Sequence, residues 1–176
     1  MTLKDSFCPS PWLHMRINNA GHYEYCRWAT KDDRNKSDNI REVTPAKFFQ
    51  HKMTGIRQEF LDGKLPAGCA ECTQMEQHGK VSGRQKQLLK VGVRLEYFEK
   101  SLASSPWLDE FKKNGQTNQM PQDWQIDLGN YCNGACIFCN PQSSSRIASE
   151  FKKIGIVSNQ PAVSNWADDP ALVDQF

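Results

Sequence analysis

Three cysteines in one short loop carry the most specific chemical signal in the chain. Cys132, Cys136 and Cys139 are spaced C-x3-C-x2-C within DWQIDLGNYCNGACIFCNPQSSS, the stretch from Asp123 to Ser145. A curled loop can turn three thiolates to one side and hold three corners of an iron–sulfur cube. The fourth corner is then left to a ligand that is not protein. Gly129, Asn130, Asn133 and Gly134 give the backbone the freedom to curl. Cys8, Cys26, Cys69 and Cys72 bring the total to seven cysteines. A disulfide framework in an exported protein favours an even number. A three-plus-four partition suits two metal clusters, one with an open position and one closed. Cys69-x2-Cys72, after Gly68, reads as a knuckle whose two thiolates chelate one metal or one cluster edge. The same spacing occurs in redox dithiols, but the helix expected before it is not the βαβ setting such a pair needs. The residues alone leave two other readings open: a structural zinc, or a ferredoxin-type cluster that recruits a fourth cysteine.

These thiols need elements to position them. Trp124, Ile126 and Leu128 alternate with Gln125, Asp127 and Gly129, which predicts a strand feeding the cysteine loop. Pro141 and the serines 143–145 precede a predicted helix from Arg146 to Lys153. Leu13–Asn18 and His22–Cys26 flank Asn19-Ala20-Gly21 and predict a β-hairpin. That hairpin would return Cys26 towards Cys8. The bland alternative is that both are small buried hydrophobes beside Trp12 and Trp28. Thr44-Pro45 opens a helix, with Thr as cap and Pro at the first helical position. Phe49, Met53, Ile56 and Phe60 give that helix one apolar face, and Gly63 ends it. Residues 73–100 are polar and predicted helical. Leu88, Leu89, Val91 and Leu95 form a sparse apolar face, and Lys80, Arg84, Lys86, Lys90 and Arg94 form a basic one, read as solvated, the sharper alternative being a contact surface for an acidic or nucleic-acid partner. A short helix is expected from Ser104 to Lys113, then a polar linker. The tail from Gly155 to Phe176 reads as irregular and poorly packed.

The bulk numbers bound the function. Net charge is +2, too small to argue for nucleic acid, and hydrophobic residues are 38%. Mean hydropathy is −0.69, and no apolar run is long enough for a membrane span. The stretch MTLKDSFCPSPW has no apolar signal region, so a cytoplasmic location is expected.

The Cys132-Cys136-Cys139 loop, with aromatic Phe138 just before its last cysteine, resembles the signature of radical S-adenosylmethionine (SAM) enzymes. The strand-loop-helix setting is part of the likeness. The resemblance implies that these three thiolates hold a [4Fe–4S] cluster whose fourth iron takes the amino and carboxylate groups of SAM. Cluster potentials reach down to about −700 mV, tuned by hydrogen bonds to sulfur and by burial. Loop amides from Asn133 to Phe138 would supply such bonds. One electron then cleaves the C5′–S bond, and the resulting 5′-deoxyadenosyl radical abstracts hydrogen from a substrate. Phe138 would belong to the cofactor site; its plainer reading is an aromatic packed under the loop.

Cys8-x12-Gly21-x4-Cys26 followed by Cys69-x2-Cys72 resembles the Twitch/SPASM-type auxiliary cluster module, implying a second [4Fe–4S] cluster on these four cysteines. In most relatives such a module follows the barrel, whereas here it precedes the first strand. The implied architecture is α/β or α+β. Residues 1–100 form the auxiliary iron–sulfur module, 101–122 a linker with a short helix, and 123–176 the start of the radical SAM core. A partial (β/α)6 barrel needs more chain than residues 140–176, and no Gly-Gly-Glu type stretch for the SAM amino group is present. The expectation is an N-terminal portion, a truncated gene or half of a split enzyme, with a second polypeptide completing the barrel. Expected partners are SAM and an electron donor such as flavodoxin or ferredoxin. The substrate is not fixed by the resemblance, because one fold hosts many chemistries. The non-enzymatic alternative is a binding module stapled by zinc or by one passive cluster.

Overall fold

The computed structural model of the chain describes residues 6–29, 38–90, 118–134, 136–156 and 165–176. These residues form a mixed helix-and-strand fold around a small three-stranded sheet of order β2-β1-β3. A short helix α1 (Ser10–Leu13) leads directly into β1 (His14–Ile17). The expected hairpin follows. Gly21 sits at φ +85°, where an L side chain is strained, and its N–H donates to the Asn18 carbonyl at 2.8 Å. The Asn18 side chain closes the turn by accepting from the Ala20 and His22 amides. The return strand β2 (Tyr23–Glu24) pairs antiparallel with β1, Arg16 opposite Glu24 and Ile17 opposite Tyr23.

The strand that feeds the cysteine loop, β3 (Asp123–Ile126), joins the other edge of β1 in parallel. His14 lies opposite Asp123 and Ile17 opposite Ile126. Alternation sends Met15 and Ile17 into the core and turns His14 and Arg16 to the opposite face. On that face Arg16 donates to Glu24 at 2.6 Å and to the Asp127 carboxylate, tying all three strands together. Burial of the Arg16 guanidinium opposes its charge, but the Asp127 and Glu24 carboxylates outweigh that and hold its pKa above the usual value. The predicted strand reached Leu128. The observed one stops at Ile126, and Ile126 and Leu128 face solvent, as an edge strand allows.

The helical half packs on the sheet. Thr44 caps α2 (Pro45–Lys47) through the Lys47 amide, with Pro45 at the first position. The chain widens into one π-turn (Phe48–Lys52) and continues as α3 (Thr54–Leu61). Phe48, Phe49, Met53, Ile56 and Phe60 are buried. Phe7, Trp12 and Phe60 meet at ring separations of 5.0–6.3 Å, and Tyr23 stacks on Phe48 at 4.5 Å. A 3-10 turn (Ala67–Cys69) leads into α4 (Ala70–Gln77), and α5 (Gly83–Lys90) follows.

Two expectations are corrected. The basic helix was read as a solvated face, but Arg84 turns inward. Its Nε and Nη2 donate to Glu76, and its Nη1 donates to the Phe7 carbonyl at 3.2 Å. A buried carbonyl and a partnered carboxylate hold it better than water does. The tail was read as poorly packed, yet Trp166 is only 1% exposed. It sits in a 3-10 turn (Trp166–Asp168), and its Nε1 donates to the Asn18 and Asp127 carbonyls just beyond the ends of β1 and β3. Phe176 packs on both Trp166 and Trp124. Of the predicted sparse apolar face, Leu88 is half-buried and Leu89 exposed. Val91, Leu95, Arg94 and the helix expected over 104–113 lie outside the described residues. No helix among the described residues is long and apolar enough to cross a membrane.

Candidate metal centre

The four N-terminal cysteines reach one place from separate elements. Cys8 precedes α1, Cys26 follows β2, Cys69 closes the 3-10 turn, and Cys72 lies in the first turn of α4. All four line a single cavity of about 360 Å³. His14, Trp28, Arg84 and Asp123 share its wall. The hairpin returns Cys26, and Arg84 tethers the Cys8 segment to α5 through the Phe7 carbonyl.

Burial disfavours the free thiolate at Cys8 and Cys26. Burial pushes the Cys8 thiol above its ordinary value. Hydrogen bonding with Ser10 and the charge of Arg84 pull it back, while neighbouring Cys72 adds to the rise. Burial pushes Cys26 up to about 12, against the Trp28 amide that reaches its sulfur at 3.4 Å, and Cys8 and Cys72 push the same way. Cys8, Cys26 and Cys72 are therefore within electrostatic reach of one another. A bound cation turns neighbouring thiols into ligands by displacing their protons. On the same wall His14 Nδ1 lies 3.1 Å from Asp123 Oδ2. Trp28 packs against Gly83 so closely that a Cβ there would lie 2.7 Å from the indole.

The three loop cysteines lie apart from these four. The cavity wall takes His14, Asp123, Trp124 and Gln125 from the leading ends of β1 and β3, whereas the loop leaves the far end of β3. The loop is held by its neighbours. The Gly134 amide donates to Cys132 Sγ at 3.3 Å, and the Cys139 amide donates to the Cys136 carbonyl at 3.0 Å. The following helix α6 (Ser145–Lys153) starts at Ser144, whose hydroxyl caps the Ile147 amide and donates to the Gly134 carbonyl. Arg146 donates to the Asn133 carbonyl at 2.8 Å, and the Ser145 hydroxyl accepts from the Cys132 amide. Asn19 from the hairpin turn donates to the Gln142 carbonyl. A Cβ on Gly134 would lie 3.4 Å from Cys132 Sγ and 3.7 Å from Cys136 Sγ. Both sulfurs thus face the space that glycine leaves open. Cys136 is exposed, and Phe138 is 98% exposed, so it does not pack under the loop.

Among the described residues no three His, Cys, Asp or Glu side chains converge tightly enough to hold one metal ion. Four cysteines around one cavity of about 360 Å³ are a donor set that either a single zinc ion or a cube of four irons and four sulfides could use.

Sequence reasoning missed His14, Asp123, Arg84 and Trp28 as wall residues. The first two come together only through parallel pairing of β1 with β3, which leaves no local pattern. Arg84 sits in a Lys- and Arg-rich stretch that reads as solvated. Comparison of the chain with models of protein families, with curated proteins and with solved structures finds no match.

Proposed function

We propose that this chain is an iron–sulfur protein of the radical SAM type, with Cys132, Cys136 and Cys139 holding a [4Fe–4S] cluster that binds SAM. The observation that carries the reading is the loop itself. It follows a parallel strand and precedes a capped helix, two of its sulfurs face one glycine, and a backbone amide donates to Cys132. N–H···S bonds of this kind tune a cluster's potential. When bound, the cluster with SAM supplies one-electron cleavage of the sulfonium, and the protein's task is to place both. Exposed Cys136 and Phe138 leave the loop tip open to SAM and to an electron donor such as flavodoxin or ferredoxin.

The auxiliary cluster of the same proposal belongs to Cys8, Cys26, Cys69 and Cys72. The shared cavity supports it, with Arg84 as a fixed positive charge beside Cys8. The unit β3–loop–α6 is the first strand–loop–helix of a partial (β/α) barrel under this reading.

The test is electron paramagnetic resonance of the anaerobically reconstituted, dithionite-reduced protein with and without SAM. A SAM-dependent change in the signal is expected, retained when Cys69 and Cys72 are replaced by Ala and lost when Cys136 is. A cluster signal indifferent to SAM would sink the proposal.

A further inference from the structure

Arg57 is buried in the helical half, far in character from either cysteine site. Its side chain is 0% exposed on α3. Nε donates to the Pro11 carbonyl at 2.8 Å, and the guanidinium carbon lies 4.5 Å from the centre of the Phe49 ring. Those contacts use one N–H and one face. Among the described residues Nη1 and Nη2 have no acceptor, the buried Trp12 Nε1 has none either, and no carboxylate forms an ion pair with Arg57. Both side chains line one small cavity of about 30 Å³, shared with Leu13, Phe49, Gln119, Met120 and Gln122 and partly open to solvent.

A buried polar group without a partner is costly, and a buried charge without a counter-charge costs more. Here several N–H donors and one positive charge meet at one pocket. A cavity needs only about 10–15 Å³ to hold a water-sized guest, so a monatomic anion has room here. A water molecule would accept two of the bonds but bring two hydrogens of its own and no charge. A halide accepts several N–H groups at once and neutralises the guanidinium.

We propose that the cavity between Arg57 and Trp12 is a binding site for a halide-sized inorganic anion, chloride in solution. Burial pushes the Arg57 guanidinium down to about 9 in the protein alone, and an anion in the cavity would restore its charge. The anion fixes Arg57, and Arg57 fixes the Pro11 carbonyl in α1, between Cys8 and His14. The site is a structural one and does not depend on the cluster reading.

The test is thermal unfolding of the metal-free protein at constant ionic strength while sodium gluconate is exchanged for sodium chloride or sodium bromide. A saturable rise in Tm of about 2–4 °C with either halide is expected. Arg57→Met, which keeps the apolar stem, should abolish the halide dependence. If that variant does not fold, crystals of the unaltered protein grown in bromide decide the matter: an anomalous peak beside Nη1 or Nη2 is expected. A Tm indifferent to halide, or a water or protein carboxylate on Arg57 in the electron density, overturns the proposal.

Discussion

Trp166 pins a C-terminal segment across the ends of β1 and β3, and its removal should be felt at the cysteine loop. Its ring is buried beside Phe176, and its single N–H is shared between the Asn18 carbonyl at 3.2 Å and the Asp127 carbonyl at 2.9 Å. Trp166→Ala removes the ring and the donor together. Burial of a large aromatic is worth about 3–5 kcal/mol on truncation. Leu172 in the core and Phe176 on Trp124 keep the rest of the segment in place, so a value near the lower end, about 3 kcal/mol, is expected. Trp166→Phe separates the two contributions. Asn18 O keeps the Gly21 amide at 2.8 Å, whereas Asp127 O has no second partner among the bonds described. One carbonyl is orphaned rather than two, so Trp166→Phe should cost about 1–2 kcal/mol. Urea unfolding of the metal-free protein followed by far-ultraviolet circular dichroism measures both. Hydrogen exchange should show faster amides in 127–134 and unchanged amides around Cys8 and Cys72. A cost below about 1 kcal/mol for Trp166→Ala, or equal loosening at both ends of the strands, would refute the pinning argument.

Other perturbations follow from the same geometry. Arg16→Met takes the guanidinium away from the fully buried Glu24 carboxylate, which still accepts from Asn18 at 2.9 Å, at a cost of about 3 kcal/mol. Adding Glu24→Gln should recover more than about 1 kcal/mol in a double-mutant cycle; strict additivity would contradict the network. Gly134→Ala places a methyl in ordinary contact with two sulfurs, so Tm should be unchanged while iron uptake at the loop falls; normal uptake would remove the cradle from the account. The Glu76 carboxyl is held below its ordinary 4.5, first by its hydrogen bond with Arg84. Its contribution, about 1–2 kcal/mol, is therefore present above pH 4.5 and lost as pH falls through the lower folded value. Glu76→Gln should unfold more readily than the unaltered protein at pH 7 and lose less on acidification; parallel pH profiles would show the pair to be inert.

Local signals were the legible ones. Asn19-Ala20-Gly21 announced a turn because only glycine takes φ +85° without strain, and Thr44-Pro45 announced a helix start because cap chemistry is short-range. Ser143 to Ser145 marked the next helix for the same reason, with Ser144 as the cap. Pairings between distant segments were not legible. Nothing near Asp123 says that it will lie opposite His14, and nothing near Trp166 says that it will reach Asn18. Arg84 misled: a cation on a helix reads as solvated until the fold encloses it. The joining of Cys69 and Cys72 with Cys8 and Cys26 was implied by the resemblance, but the cavity that they share depends on the chain's return through α3.

The central claim is that seven cysteines divide into a three-thiolate and a four-thiolate cluster site. Iron and acid-labile sulfide counted per chain after anaerobic reconstitution test it most directly. About eight irons are expected in the unaltered protein, and about four when either Cys132, Cys136 and Cys139 or Cys8, Cys26, Cys69 and Cys72 are replaced by Ala. Stoichiometric zinc with no iron, or an iron count that the loop substitutions leave unchanged, would contradict it.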